Sequence, residues 1–229
     1  MRKPTVDYRK LRLSNIRSPE YKHLFLLLGW LVYFAAYFLT ENLIPAENCT
    51  PVHCPLDDII PFCEVFIIPY VGWYVLIVGS LLYFLLYNVD GFKKLQTYII
   101  ITQVVAMAVY ILWPNRQDLR PEMFPRENFL TDIVALLYSV DTNTGVCPSL
   151  HVAYSLGIAS TWMREKAVSR PTRAMLTLFC LLVCISVVFV KQHSAVDVFA
   201  ALPVCLLAEW LVFIRPKRKE KQRNMREGE

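Results

Sequence analysis

Four long runs of this chain carry no charged residue: residues 24–40, 65–87, 95–113 and 174–190. Each holds 17 to 23 residues. At about 1.5 Å of rise per residue, a helix of that length crosses the roughly 30 Å hydrocarbon layer of a bilayer. Two further stretches, residues 148–163 and 195–214, are apolar but retain polar members, Asp197 and Glu209 among them. A seventh, residues 129–140, is too short to span and predicts an interfacial or re-entrant helix packed beneath the loop that follows it.

This pattern predicts an all-α, polytopic membrane protein with six transmembrane helices plus a short interfacial helix. Residues 1–22 read as a basic cytoplasmic segment, residues 23–214 as a single six-helix membrane domain with its catalytic core at about 65–214, and residues 215–229 as a basic cytoplasmic tail. A basic region precedes the first apolar run, as in a signal peptide. No small-residue cleavage site follows Thr40, however, and 17 apolar residues exceed a signal core, so the run is read as an anchor.

Charge adds orientation. Twenty of the 24 lysines and arginines fall in four blocks, at residues 1–22, 93–94, 164–173 and 215–226. With six spans these blocks share one side, and the positive-inside tendency makes that side the cytoplasm, with both termini on it. The four remaining cations are Arg116, Arg120, Arg126 and Lys191, all in the second and third outer loops. The formal charge of +5 then reflects orientation and attraction of the tail beginning at Arg215 to anionic lipid, so nucleic acid is not an expected partner. The expected partners are the bilayer, favouring a bacterial plasma membrane, and a lipid phosphate substrate. No cofactor and no metal are expected. The chain has no dinucleotide fingerprint, P-loop or internal repeat.

Two short strings stand where chain enters lipid: Pro148-Ser149-Leu150-His151, and His193-Ser194-Ala195-Val196-Asp197. Polar residues there are costly unless paired or functional. Pro148 suits the first turn of a helix, so Ser149, Leu150 and His151 are expected to present N–H groups to an anion. His193 and Asp197 are four apart, on one helical face, where a carboxylate fixes the tautomer of an imidazole and stabilises charge developing on it. Counting spans puts both strings on the outer face. Arg120 and Lys191 add cations for phosphoryl oxygens, and phosphoryl transfer needs little beyond such positioning and charge stabilisation.

At these residues the chain resembles the type 2 phosphatidic acid phosphatase superfamily, over roughly residues 65–214. Pro148, Ser149 and His151 match its Pro-Ser-x-His motif, His193 and Asp197 match the last two positions of its third motif, and Arg120-Pro121 matches the end of its first. Trp113 stands where the first motif has lysine and Val187 where the third has arginine, with Arg116 and Lys191 the nearest replacements. The resemblance implies six transmembrane helices and a site on the outer face. In it His193 attacks phosphorus, Asp197 holds His193, His151 transfers the proton, and Ser149, Arg120, Lys191 and Arg116 hold the phosphoryl oxygens. The activity it implies is a metal-independent lipid phosphate or pyrophosphate phosphatase working through phosphohistidine. The alternative is a lipid head-group phosphotransferase, like sphingomyelin or inositol phosphorylceramide synthases, on the same residues. A catalytically silent lipid-binding relative ranks third.

Other residues carry plainer expectations. Asp141 and Asn143 read as turn formers, His23 as an interfacial residue, and Glu209 as a cytoplasmic-side carboxylate near Arg215. Cys180, Cys184 and Cys205 read as packing residues in spans. Cys49, Cys54, Cys63 and Cys147 face outside, where a disulfide, with Cys49 to Cys54 the easiest closure, ranks ahead of free thiols, and a zinc site with His53 comes last. Asn48-Cys49-Thr50 fits a glycosylation sequon.

Overall fold

A computed structural model of the chain describes residues 3–216. In chain order its helices are α1 (Leu28–Leu43), α2 (Pro55–Ile59), α3 (Ile67–Tyr87), α4 (Val89–Leu112), α5 (Phe129–Val140), α6 (Leu150–Arg164), α7 (Arg170–Phe189) and α8 (Ala195–Glu209). Two strands of two residues, β1 (Thr50–Pro51) and β2 (Asn115–Arg116), pair in parallel.

Five helical stretches of the described residues are long and apolar enough to cross a membrane: Lys22–Leu43, Glu64–Tyr87, Val89–Leu112, Arg170–Phe189 and Ala195–Ile214. The architecture is that of a multi-pass, mostly helical membrane protein. The sixth expected span corresponds to α6, whose 15 residues rise only about 22 Å. Ten of its residues, Ser155 and Thr161 among them, are buried, packed among α3, α4, α7 and α8. The tail from residue 217 onward lies outside the described residues.

Capping residues set the helix ends. Asn88 accepts from the N–H of Gly91 and starts α4 six residues before the charge-free run, so Asp90, Lys93 and Lys94 lie on the helix. Asn128 and Thr131 form a reciprocal capping box that starts α5 at Phe129, where the apolar pattern begins. Ser169 caps α7, with Pro171 in its first turn. Pro203, which has no N–H to donate, lies inside α8, and a π-helical turn, Trp210–Ile214, continues it.

α6 is the centre of the bundle. A Cβ at Gly157 would lie 2.5 Å from the ring of Tyr98, so glycine is what lets α4 and α6 approach so closely. At the opposite pole, α1 has no buried residue and rests mainly on α4. The Trp30 indole donates to Gln96 at 3.1 Å and Gln96 donates to the Leu26 carbonyl.

α3, α6 and α8 start, and α4 and α7 end, at one end of the bundle. At the other end, Asn88 donates to Glu165 at 2.6 Å, and Glu209 pairs with Arg164 and accepts from Ser160. Glu209 therefore does not pair with Arg215, whose guanidinium stacks on Trp210 instead. His23 is buried, bonded to the Tyr8 hydroxyl at 2.7 Å and edge-on to Phe92. All seven cysteines are free thiols, which corrects the expected Cys49–Cys54 bridge. Cys49 adjoins β1, bonded through Sγ to the Pro45 carbonyl, whereas Cys54 begins α2 under the Asp57 carboxylate.

Candidate functional site

The turn that delivers His193 is built by the end of α7. The N–H of Gln192 returns to the Val187 carbonyl at 3.0 Å and that of Lys191 to Val188 at 3.3 Å, the two bonds of a Schellman motif. Its left-handed position, usually glycine, is occupied by Lys191 at φ 51°. The His193 N–H shares the Val187 carbonyl at 3.1 Å. Val187, the residue in place of a motif arginine, is thus a buried carbonyl anchor for this turn.

Ser194, not His193, caps α8. Its N–H donates to Asp197 Oδ2 at 2.9 Å and its hydroxyl accepts from Val196. His193 stands one residue outside the helix. Even so, its Nδ1 lies 3.1 Å from the same Asp197 oxygen, so this carboxylate caps the helix and holds the imidazole together. Carboxylates accept only, which assigns the shared proton to Nδ1 and leaves the lone pair of neutral His193 on Nε2. That atom lies 3.3 Å from His151 Nδ1. The far nitrogen of His151, Nε2, is buried with no hydrogen-bond partner among the described residues.

His151 is the second residue of α6. Pro148 precedes the helix and does not sit in its first turn, because Ser149 is the cap, accepting from the N–H of Val152. The Ser149 N–H donates to the Asp197 carbonyl at 3.1 Å and so ties α6 to α8. Leu150 and His151, as the first two helical residues, have N–H groups with no partner inside the helix. The imidazole of His151 lies on the rings of Trp73 and Tyr70, with centroids 4.1 and 4.7 Å away.

Residues remote in sequence brace both strings. The Asn115 side chain accepts from the N–H groups of Val146 and Cys147 and donates to the Cys147 carbonyl, while the Tyr110 hydroxyl donates to the Pro148 carbonyl. Asp57 of α2 accepts from the Ser194 hydroxyl at 2.5 Å and from the N–H groups of Ala195 and Cys54. Burial works against its charge, but these bonds hold the Asp57 carboxyl below its ordinary range. The Cys147 thiol, buried beside Asp197, is pushed up to about 12, chiefly by burial.

The sequence candidates divide. His151, His193, Asp197 and Ser149 come together. Arg120 is close but engaged: its guanidinium donates to Gln192 Oε1 at 2.7 and 3.1 Å and to the carbonyls of Tyr138, Asp141 and Thr142, and it stacks on Tyr138. Lys191 points away, donating Nζ to the carbonyls of Asp57 and Ile60 at the end of α2. Arg116 pairs with Asp118 and donates to the carbonyls of Ala46 and Cys49. Both therefore clamp the segment between α1 and α3 through its carbonyls.

A cavity of about 470 Å³ opens beside the histidine pair. α1 walls one side with Trp30, Tyr33, Phe34 and Tyr37, and α3 another with Tyr70, Trp73, Tyr74, Ile77 and Leu81. His151 and His193 face it, as do Gln192 and Asp141. Among the described residues no lysine or arginine lines it. Asp141, which ends α5, accepts from Gln192 Nε2 at 3.1 Å. Burial pushes its carboxyl up, against His193 and Arg120, which pull it down.

Sequence reasoning overlooked Asp57, Asn115, Tyr110, Gln192 and the aromatic shelf of Tyr70 and Trp73. Only Gln192, beside His193, carried a local signal. No group of three or more histidine, cysteine or acidic side chains with metal-binding placement occurs among the described residues. No known family model, curated protein or solved structure matches the chain.

Proposed function

We propose that the chain is a membrane-embedded phosphoryl-transfer enzyme that cleaves a lipid phosphate ester through a phosphohistidine at His193, with water as acceptor. The observation that carries this reading is the hydrogen-bonded series Asp197, His193, His151 at the mouth of an aromatic cavity. In this scheme His193 Nε2 forms the N–P bond while the P–O bond to the leaving group breaks. Asp197 stabilises the positive imidazole, and His151, in its protonated form, gives its proton to the leaving oxygen. Neutral His151 next takes a proton from water, whose oxygen displaces His193 from phosphorus. The N-terminus of α6, with the free N–H groups of Leu150 and His151, supports the phosphoryl charge.

The reading includes α6 as a sixth, protein-enclosed crossing, both termini in the cytoplasm, and the site on the outer face. Enclosure by neighbouring helices makes the short polar helix tolerable. The second reading, transfer of a phospho-head group to an alcohol, is favoured by one observation. Among the described residues the cavity has no lysine or arginine to neutralise a phosphate monoester dianion.

Purified protein in detergent, with chelator present, is expected to form an alkali-stable, acid-labile phosphoenzyme and to release product from a phosphorylated lipid. His193→Ala should form none. Product release by His193→Ala equal to that of the parent would overturn the mechanism. A new phosphodiester on adding a lipid alcohol selects transfer over hydrolysis.

A further inference from the structure

The scheme above leaves Asp141 without a role, although among the described residues it is the one carboxylate lining the cavity beside the histidines. It is anchored on both sides. Gln192 donates to its Oδ2, and Arg120 holds Gln192 and the Asp141 carbonyl. Four tyrosines, Tyr33, Tyr37, Tyr70 and Tyr74, line the same outer part of the cavity, each near enough to feel the Asp141 charge. Deeper in, α3 offers only apolar groups such as Ile77 and Leu81.

Electron-rich rings around a single carboxylate suit a cation and repel a second anion. A quaternary ammonium has no N–H to donate, so ring faces and a nearby carboxylate satisfy it better than hydroxyl acceptors do. We propose that the head group held here carries an ammonium: the substrate is a zwitterionic phospholipid of the choline or ethanolamine type. Its ammonium sits among the tyrosines against Asp141, its phosphorus at His193, and a chain runs along the apolar part of α3. This rests on the phosphoryl-transfer reading of the histidine pair. The bond that breaks joins phosphorus to the lipid alcohol, whose oxygen takes the proton from His151. The N–P bond leaves the phospho-ammonium group on His193 until water or an alcohol displaces it.

Binding and chemistry test separately. Short-chain dihexanoyl phosphatidylcholine, phosphatidic acid, phosphatidylglycerol and phosphatidylinositol are each titrated into the detergent-solubilised full chain by calorimetry, with free choline as a fifth arm. Phosphatidylcholine should bind at least tenfold more tightly than the three others and than choline. Asp141→Asn should remove most of that preference while leaving the anionic lipids unchanged or tighter, and Tyr74→Leu, at a half-exposed position, should weaken phosphatidylcholine several-fold. Equal affinities, tighter phosphatidic acid, or an unchanged preference in both variants overturns the inference. Choline binding as tightly as the lipid overturns the lipid assignment. Asp141-dependent phosphatidylcholine binding with no phosphoenzyme keeps this inference and overturns the reaction. A phosphoenzyme formed without head-group preference does the reverse.

Discussion

Nδ1 of His193 and Oδ2 of Asp197 lie 3.1 Å apart although the histidine is outside the helix that begins two residues later. The same oxygen also accepts the Ser194 N–H. Asp197→Asn separates the two duties. The amide oxygen still caps α8, so thermal unfolding in detergent should show a loss of no more than about 1 kcal/mol. The imidazole loses its charge partner and its enforced tautomer, and turnover should fall by roughly two to four orders of magnitude. A variant that turns over like the parent would show that the carboxylate serves only the helix.

Asp57 ties the segment between α1 and α3 to the start of α8. Asp57→Ala leaves the buried Ser194 hydroxyl and the Ala195 N–H without their acceptor, and should cost about 3 kcal/mol. Because the folded-state pKa of Asp57 is depressed, the stability it contributes is fully present above the ordinary carboxylate value of about 3.9. It is lost as pH falls through the depressed value. Melting curves between pH 3 and 7 should therefore show a shallower acid limb in the variant; parallel limbs would count against this linkage.

Lys191 matches the expectation of a phosphate-holding cation in sequence but not in placement. Lys191→Met should destabilise the protein by about 2 kcal/mol through the loss of two carbonyl partners. Burial lowers the pKa of this ammonium, with Asp57 and Asp58 opposing. In protein that remains folded, kcat/KM should stay within about threefold of the parent, since no transition-state contact is removed. A hundredfold fall in kcat/KM at unchanged stability would instead put the ammonium on the phosphoryl group.

Gly157→Ala drives a Cβ to within 2.5 Å of the Tyr98 ring. The expected cost is about 1 to 3 kcal/mol, as for other overpacked cores. In a Tyr98→Leu background the ring is gone and the penalty of the added methyl should largely vanish. Thermal melts of the four proteins complete this double-mutant cycle; strict additivity would contradict the packing argument.

Much of this architecture is legible in the chain because hydropathy reports lipid contact. α5 begins and ends at the residues its apolar pattern marks, since Asn128 and the C-terminal turn bound it. α4 is harder to place: Asp90, Lys93 and Lys94 look like a loop, but the helix that Asn88 caps begins before them at Val89 and leaves Asp90 and Lys94 exposed. The histidine strings were visible through local spacing. Asp57 and Asn115 were not, because their partners lie 137 and 32 residues away, and nothing in a short window encodes such pairs. Arg116 and Lys191 show the converse: motif position suggested phosphate contacts, whereas their side chains are bonded to carbonyls of the chain itself.

α1 supplies a wall of the cavity while burying none of its side chains completely. A wall bathed in acyl chains takes its mobility from them. On the proposed lipid-phosphate reading, exchange of lipid past α1 is governed by membrane viscosity, and ordering of the bilayer by cooling or saturated tails would slow arrivals and departures without disturbing the histidines. The acyl composition of the membrane becomes, through this one helix, a setting on the proposed cycle.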